Sequence, residues 1–261
     1  MTRFVIAGEG RHAATIAAQI EKLDGRVSAI CCNVDKDSYL GSVAKKNGYT
    51  LIDSGILRDS NKTNVIASLN ADFFLNIYSP TIVAGSFLNL FSQRAFNIHT
   101  GKLPEYAGTH VHQWAIRHGL SKTVATLHIM EPFVDAGDIV GEKFVKINDD
   151  DTGVSLYKKV TSAGEQLVLE LLPKLINRSK IETRKQNLEN RRVFSSAQAK
   201  ATRIDWASNS IVIHNLIRAV NYWPFSSPTY DVMLDVPRIG DVQLLSSQVY
   251  ESHVNGTCGT I

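Results

Sequence analysis

The sequence predicts an α/β fold: a Rossmann-like, mostly parallel sheet with helices on both faces, followed by a small β-containing C-terminal module. Three observations predict it. Short apolar runs alternate with stretches of helical spacing from the N-terminus to about residue 180, and a βαβα order feeds a parallel sheet through crossover helices. With 44% hydrophobic and 20% charged residues in 261, the chain has ordinary globular composition and enough length for a sizeable core. Near residue 190 the alternation gives way to short pieces punctuated by Ser, Gly and Pro.

Each element has its own warrant. Residues 4–7 read as a short buried strand, and residues 12–23 carry Ala13, Ile16, Ala17 and Ile20 at helical spacing. Residues 27–34 and 49–52 are strands, with a short helix over 42–47 between them. A helix over 63–69 precedes strands at 73–78 and 95–99. Residues 111–118 are helical, and 123–130 and 139–145 read as two strands suited to pairing. Residues 155–177 form a long amphipathic helix, with Val160, Leu167, Leu171 and Leu175 on one stripe. Either Asp205 or Ser208 starts a helix that runs to Ala219, and residues 229–236 and 241–249 are β-like. The domain reading is therefore 1–190 for a catalytic domain and 195–261 for the C-terminal module.

Composition excludes several classes. No apolar run approaches the roughly 18 residues of a membrane span, and the N-terminal apolar run is broken too early for a signal peptide; the expected location is the cytoplasm. The net charge of +3 and scattered basic residues do not argue for nucleic acid. The densest basic stretch, 174–192, reads as a solvated face. Three cysteines (Cys31, Cys32 and Cys258) give neither a disulfide framework nor a metal motif.

Gly8-Glu9-Gly10-Arg11-His12-Ala13 fits a G-x-G-x-x-A turn between a strand and a helix, and Asp35 ends the next strand where a ribose-binding carboxylate would sit. On its own this admits an NAD-binding oxidoreductase. The same turn serves any phosphate or ribose at a helix N-terminus, or is simply a tight connection.

The segment Phe96-Asn97-Ile98-His99-Thr100-Gly101-Lys102-Leu103-Pro104 is more informative. Asn97 and His99 are two apart on a strand, so they share a face. They sit at the strand's carboxyl end, where open α/β sheets bind ligands. A second segment runs through strand Thr126-Leu127-His128-Ile129-Met130 into Phe133-Val134-Asp135-Ala136-Gly137-Asp138. Asp135 lies among apolar neighbours, where its pKa is expected to be raised or coupled to a partner; the alternative is an Asx turn.

Taken together, Asn-x-His, then Leu-Pro-x-Tyr-x-Gly, then Val-Asp-x-Gly-x-Ile resemble the formyltransferases that use 10-formyltetrahydrofolate, over most of the first 180 residues. The resemblance implies that Asn97, His99 and Asp135 are the catalytic trio. It implies that folate lies between Tyr78-Ser79-Pro80-Thr81-Ile82 and the loop carrying Phe133, Val134 and Asp138. It implies a co-substrate, 10-formyltetrahydrofolate, and no metal; the remaining histidines show no ligand pattern.

The acceptor is read from the tail. Ile217-Arg218-Ala219-Val220-Asn221-Tyr222-Trp223-Pro224-Phe225 resembles a segment of this family that glycinamide ribonucleotide transformylase lacks, while the tail is shorter than that of the tRNA enzyme. The pattern is most like the nucleotide-sugar N-formyltransferases, which implies a dTDP- or GDP-linked deoxyamino sugar, a 4-amino-4,6-dideoxy sugar first, and a role in lipopolysaccharide O-antigen biosynthesis. Glycinamide ribonucleotide and methionyl-tRNA remain as alternatives. Candidates to hold the nucleotide are Gly10, Arg11, His12, Lys102, Pro104, Tyr222 and Trp223. Tyr222 and Trp223 either stack on the base or pack the module onto the core, and Lys102 is either a phosphate ligand or a solvated lysine. The short-strand module is also a candidate surface for a homodimer.

Overall fold

A computed structural model describes residues 1–34, 39–59, 63–195, 197–198, 204–236 and 238–249. Asp35 and Cys258 lie outside the described residues. In chain order the elements are β1 (Arg3–Gly8), α1 (Gly10–Lys22), β2 (Arg26–Cys32), α2 (Tyr39–Asn47), β3 (Thr50–Asp53), α3 (Thr63–Ala67), β4 (Phe73–Ile77), α4 (Gly85–Leu88) and β5 (Ala95–His99). They continue with β6 (Ala107–Gly108), α5 (Val111–Arg117), β7 (Lys122–Ile129), β8 (Ile139–Lys146), α6 (Gly153–Ile176), β9 (Val193–Phe194), α7 (Ser210–Val220), β10 (Met233–Val236) and β11 (Gly240–Gln243).

The main sheet has seven strands in the order β3-β2-β1-β4-β5-β7-β8. Every pairing from β3 to β5 is parallel, while β5–β7 and β7–β8 are antiparallel. This is the mostly parallel α/β sheet expected from the alternation, and the two late strands do pair. The order reverses between β1 and β4, the switch point at which such sheets open a crevice.

Period-two alternation sorts each strand between two cores. Phe4, Ile6, Leu75, Phe96, Ile98 and Leu127 pack under α1 and α6. Val5, Ala7, Cys31 and Phe74 face the other side, with Ile66 of α3 and Phe87 of α4. Toward one end of that second face the apolar residues give way to Asn76, Asn97, His99, Thr126 and His128. The register fixes this polar row: Asn76 pairs Asn97, Asn97 pairs His128, and His99 pairs Thr126.

The long helix α6 begins at Gly153, two residues before its expected start, because Thr152 and Ser155 form a capping box. Helix α7 starts at Ser210, not after Asp205 or Ser208, because the Asn209 side chain accepts from Ile211 N–H. Among the described residues of the tail, the strands formed are those of the short hairpin β10–β11. Its small core, including Ile217, Val220 and Val232, packs against Trp114 of α5. Among the described residues no helix is long and apolar enough to cross a membrane.

Candidate functional site

Asn76, Asn97, His99 and His128 of this row line a cleft of about 410 Å³. Residues of loops 78–83 and 130–135 line it too, as do Thr109, His110, His112 and Tyr157. Asn97, His99 and Asp135 meet in it, although Asp135 is distant in sequence from the other two. Asp135 Oδ2 lies 3.7 Å from His99 Nδ1, and Oδ1 lies 3.6 Å from His128 Nε2. These distances are too long for hydrogen bonds, so the carboxylate acts on both rings through its charge. Its one direct bond is from Gly108 N–H at 2.9 Å, a contact across the fold and not an Asx turn. Gly108 has φ +100°, and a Cβ there would lie 2.1 Å from Phe194 O, so only glycine presents its N–H to Asp135 this way.

Hydrogen bonds fix both rings. His99 Nε2–H donates to Tyr106 O at 2.6 Å, leaving Nδ1 as the atom that faces Asp135. His128 Nδ1–H donates to Ile129 O at 2.8 Å, so its Nε2 accepts from Asn97 Nδ2 at 2.9 Å. That bond uses one of the two Asn97 amide hydrogens and leaves the other free to bond a substrate.

The electrostatics follow from burial and neighbours. Burial lowers the pKa of His99, against the upward pull of Asp135 and the bond to Tyr106 O. Burial works to raise Asp135, but the neighbouring His99 and His128 imidazoles and the Gly108 N–H together hold it well below the usual carboxylate range. The expectation of a raised or coupled acid thus resolves to coupling. Burial pushes His112 down to about 3, so it is a neutral imidazole. Its Nε2 bonds the Tyr222 hydroxyl, and its buried Nδ1 has no partner among the described residues.

The structure divides the remaining candidates. Tyr78, Ser79, Pro80, Thr81, Ile82 and Val134 line the cleft. Ile82 and Val134 expose 67% and 48% of their surface there, which suits a flat apolar ring edged by main-chain polar groups. Phe133 and Asp138 do not line it. Phe133 lies under the Arg191 guanidinium, 4.3 Å from its ring centre, and Asp138 faces a separate hollow with Ile181 and Thr183. Tyr222 is buried with its hydroxyl on His112, so it is not free to stack on a base. Trp223 is 67% exposed beside a small hollow in the C-terminal module. Lys102 is paired with Glu105 at 2.8 Å, and Pro104 turns its carbonyl to Arg192 N–H; neither lines the cleft. Gly10 and Arg11 open α1 without a side-chain cap. His12 bonds Glu165 of α6 at 2.5 Å, with its ring 5.6 Å from that of Tyr78.

Sequence reasoning passed over Asn76, His110, His112, His128 and Tyr157, all of which line the cleft. His128 reaches the site through its register with Asn97 across the β5–β7 pair, which spacing along the sequence does not state. Among the described residues, no group of three His, Cys, Asp or Glu is arranged to hold a metal ion.

Residues 2–172 match the family model "Formyl transferase", and residues 197–261 match "Formyl transferase, C-terminal domain". The chain is 28% identical over 215 residues to a methionyl-tRNA formyltransferase of Agathobacter rectalis, covering 82% of this chain and 67% of that protein. Curated relatives of that name are matched over 59% to 67% of their length. An N-formyltransferase of Helicobacter canadensis, solved in complex with folinic acid and dTDP-3-aminofucose, superimposes with a TM-score of 0.70 at 26% identity, over 85% of this chain and 81% of that one. A 4-N formyltransferase of Francisella tularensis gives a TM-score of 0.76 at 17% identity, over 96% and 99% of the two chains; at that identity the likeness is one of fold.

Proposed function

The chain belongs to the formyl transferase family, and from that premise we propose that it transfers a formyl group from 10-formyltetrahydrofolate to the primary amine of a nucleotide-linked deoxyamino sugar. The sugar is dTDP- or GDP-linked, and a 4-amino-4,6-dideoxy sugar is the first candidate. The observation that carries the reading is the meeting of Asn97, His99 and Asp135 in one cleft.

The residues have distinct tasks. When bound, the folate supplies an activated formyl carbon. His99 Nδ1, neutral because the ring is buried, takes the proton that the attacking amine loses as its nitrogen bonds that carbon. Asp135 beside it stabilises the imidazolium so formed. The free Asn97 N–H donates to the oxygen that gains charge as the amine adds. His99 then returns its proton to the departing folate nitrogen as the carbon–nitrogen bond breaks. The tasks of Asn97 and His99 need both on one strand face at the carboxyl end of β5.

The sugar acceptor is supported by the likeness to the Helicobacter enzyme, which was solved with a dTDP-amino sugar. The fold shared with the Francisella 4-N enzyme extends through the C-terminal module. The apolar end of the cleft takes the pterin, and the acceptor enters beside His110, His112 and Tyr157. The uncapped start of α1 suits a phosphate. The reading places the reaction in the cytoplasm, in the making of O-antigen sugars. A second reading, formylation of methionyl-tRNA, is favoured by the curated relatives.

The test is an acceptor panel with 10-formyltetrahydrofolate, following tetrahydrofolate release. The panel holds dTDP- and GDP-linked 3-amino and 4-amino deoxysugars, glycinamide ribonucleotide and methionyl-tRNA. Turnover on a sugar nucleotide supports the proposal. Turnover only on methionyl-tRNA or glycinamide ribonucleotide overturns the acceptor. Absence of both folate binding and turnover overturns the reaction.

A further inference from the structure

The two family models leave residues 173–196 unmatched, yet this stretch is built into the site. It runs as a strap across the loop that follows β5 and the loop that carries Asp135. On one side it stitches to the loop after β5: Arg192 N–H donates to Pro104 O at 3.2 Å, Ala107 N–H to Arg192 O at 2.9 Å, and Thr109 N–H to Phe194 O at 2.8 Å. On the other it grips the Asp135 loop. Arg184 exchanges two main-chain bonds of 2.8 Å with Ile139. Arg191 Nη2 donates to Val134 O at 2.8 Å.

The central contact is Gln186. Its amide nitrogen donates to Asp135 O at 3.0 Å and to Gly137 O at 2.6 Å, spanning the turn that carries the catalytic acid. Asp135 itself has φ +56°, a left-handed conformation that a surrounding structure must hold. Gly137 is pressed so close that a Cβ would lie 2.0 Å from Ile129 O, so the turn is pinned from beneath by β7 and from above by Gln186.

We propose that Gln186 is a positioning residue for the formyl transfer, holding the Asp135 turn so that the carboxylate stays against His99. The inference rests on the formyl-transfer reading. It commits to Gln186 acting through Asp135, without touching either substrate.

The experiment compares Gln186→Met, which keeps the length and removes the donor, with Gln186→Lys, which restores one. Misplacement of a catalytic group by about 1 Å costs on the order of 100-fold. Gln186→Met is therefore expected to lower kcat roughly 10- to 100-fold with KM for both substrates within about twofold, and Gln186→Lys to recover much of it. A second readout needs no substrate: the His99 imidazole is titrated by NMR in the free protein, assigned with His99→Gln. Besides Asp135, the ionisable groups around that ring are His128 from β7 and His112 from α5. In Gln186→Met the midpoint is expected to move by about half a unit or more, because the nearby carboxylate shifts. Unchanged kcat with an unchanged His99 titration overturns the proposal, as does a loss confined to KM or to thermal stability. If wild type shows no formyl transfer, the free-protein titration still decides whether Gln186 sets the Asp135–His99 geometry.

Discussion

Tyr222 ties the C-terminal module to the cleft through His112, and removing one oxygen measures that tie. In Tyr222→Phe the ring remains and no cavity opens. What is lost is the hydroxyl that bonds His112 Nε2. His112 is 2% exposed and its Nδ1 already has no partner among the described residues, so the variant leaves both ring nitrogens buried without a partner among them. An orphaned buried polar group costs about 1–3 kcal/mol. In a protein of this size each kcal/mol lowers the melting temperature by about 2–4 °C. The midpoint of those ranges is a loss of about 6 °C in a single transition followed by calorimetry. The control is Trp223→Ala, one residue further on. Trp223 is 67% exposed, so its truncation is expected to stay within about 0.5 kcal/mol, or roughly 2 °C. A Tyr222→Phe melt within about 1 °C of wild type would refute the buried coupling. A larger loss for Trp223→Ala than for Tyr222→Phe would reverse the assignment of packing and exposed roles.

Three further outcomes are expected. His99→Ala and Asp135→Asn should each lower turnover by orders of magnitude while the fold persists, since Asn at 135 still accepts from Gly108 N–H; near-normal rates in either would remove that residue from the chemistry. Stability should fall on acidification. Burial depresses His112 to about 3, so the unfolded chain binds a proton that the native one refuses. Its contribution is complete above about pH 6.5 and is lost toward pH 3, at about 1.4 kcal/mol per unit. His99, also depressed, adds in the same direction, and Asp135 adds a loss below about pH 4, the unfolded carboxylate value. Urea titrations between pH 7 and 4 should show this slope in wild type and a shallower one in His112→Gln; equal slopes would count against a neutral buried His112. Gly164→Ala would bring a Cβ to 2.1 Å from the Tyr78 hydroxyl and 2.4 Å from Ile98 Cγ2. An overpacking cost of about 1–3 kcal/mol should appear as a lower melt together with weaker folinic acid binding, because Tyr78 lines the cleft; an unchanged melt would show that α6 yields freely.

What was legible in the sequence was what local pattern determines. The strand–helix alternation is local, so the parallel sheet and the long helix α6 could be read directly. Asn97 and His99 were legible because two residues on one strand share a face. Residues whose role depends on a partner far along the chain were not. Tyr222 and Trp223 read alike in the sequence, as rings that either stack on a base or pack the module onto the core, and only the docking of α7 against α5 shows that one ring is buried and the other is not. Lys102 reads equally as a phosphate ligand or a solvated lysine, and the sequence does not show Glu105 closing on it. His128 was passed over because its importance comes from the register with Asn97 across a strand pair, which sequence spacing does not state. Gln186 gave no signal, since an amide within a charged and polar stretch has no pattern.

The antiparallel pairing of β7 explains why the acid needs such support. Ile129, at the end of β7, lies opposite Phe96, and Met130 N–H bonds Ala95 O. The chain therefore leaves β7 beside the beginning of β5, whereas His99 stands at its end. Four residues of extended strand separate Ala95 from His99, roughly 13 Å at about 3.3 Å per residue. Loop 130–138 must travel back over the sheet face to bring Asp135 within 3.7 Å of His99, and must then return so that Ile139 can pair with His128. A segment that reverses twice, with ladder bonds only at its two ends, has main-chain groups left to satisfy. The Val134, Asp135 and Gly137 carbonyls meet that need outside the loop, on Arg191 and Gln186. Asn97 and His99 are held by the sheet itself; the acid that completes them is held by the strap.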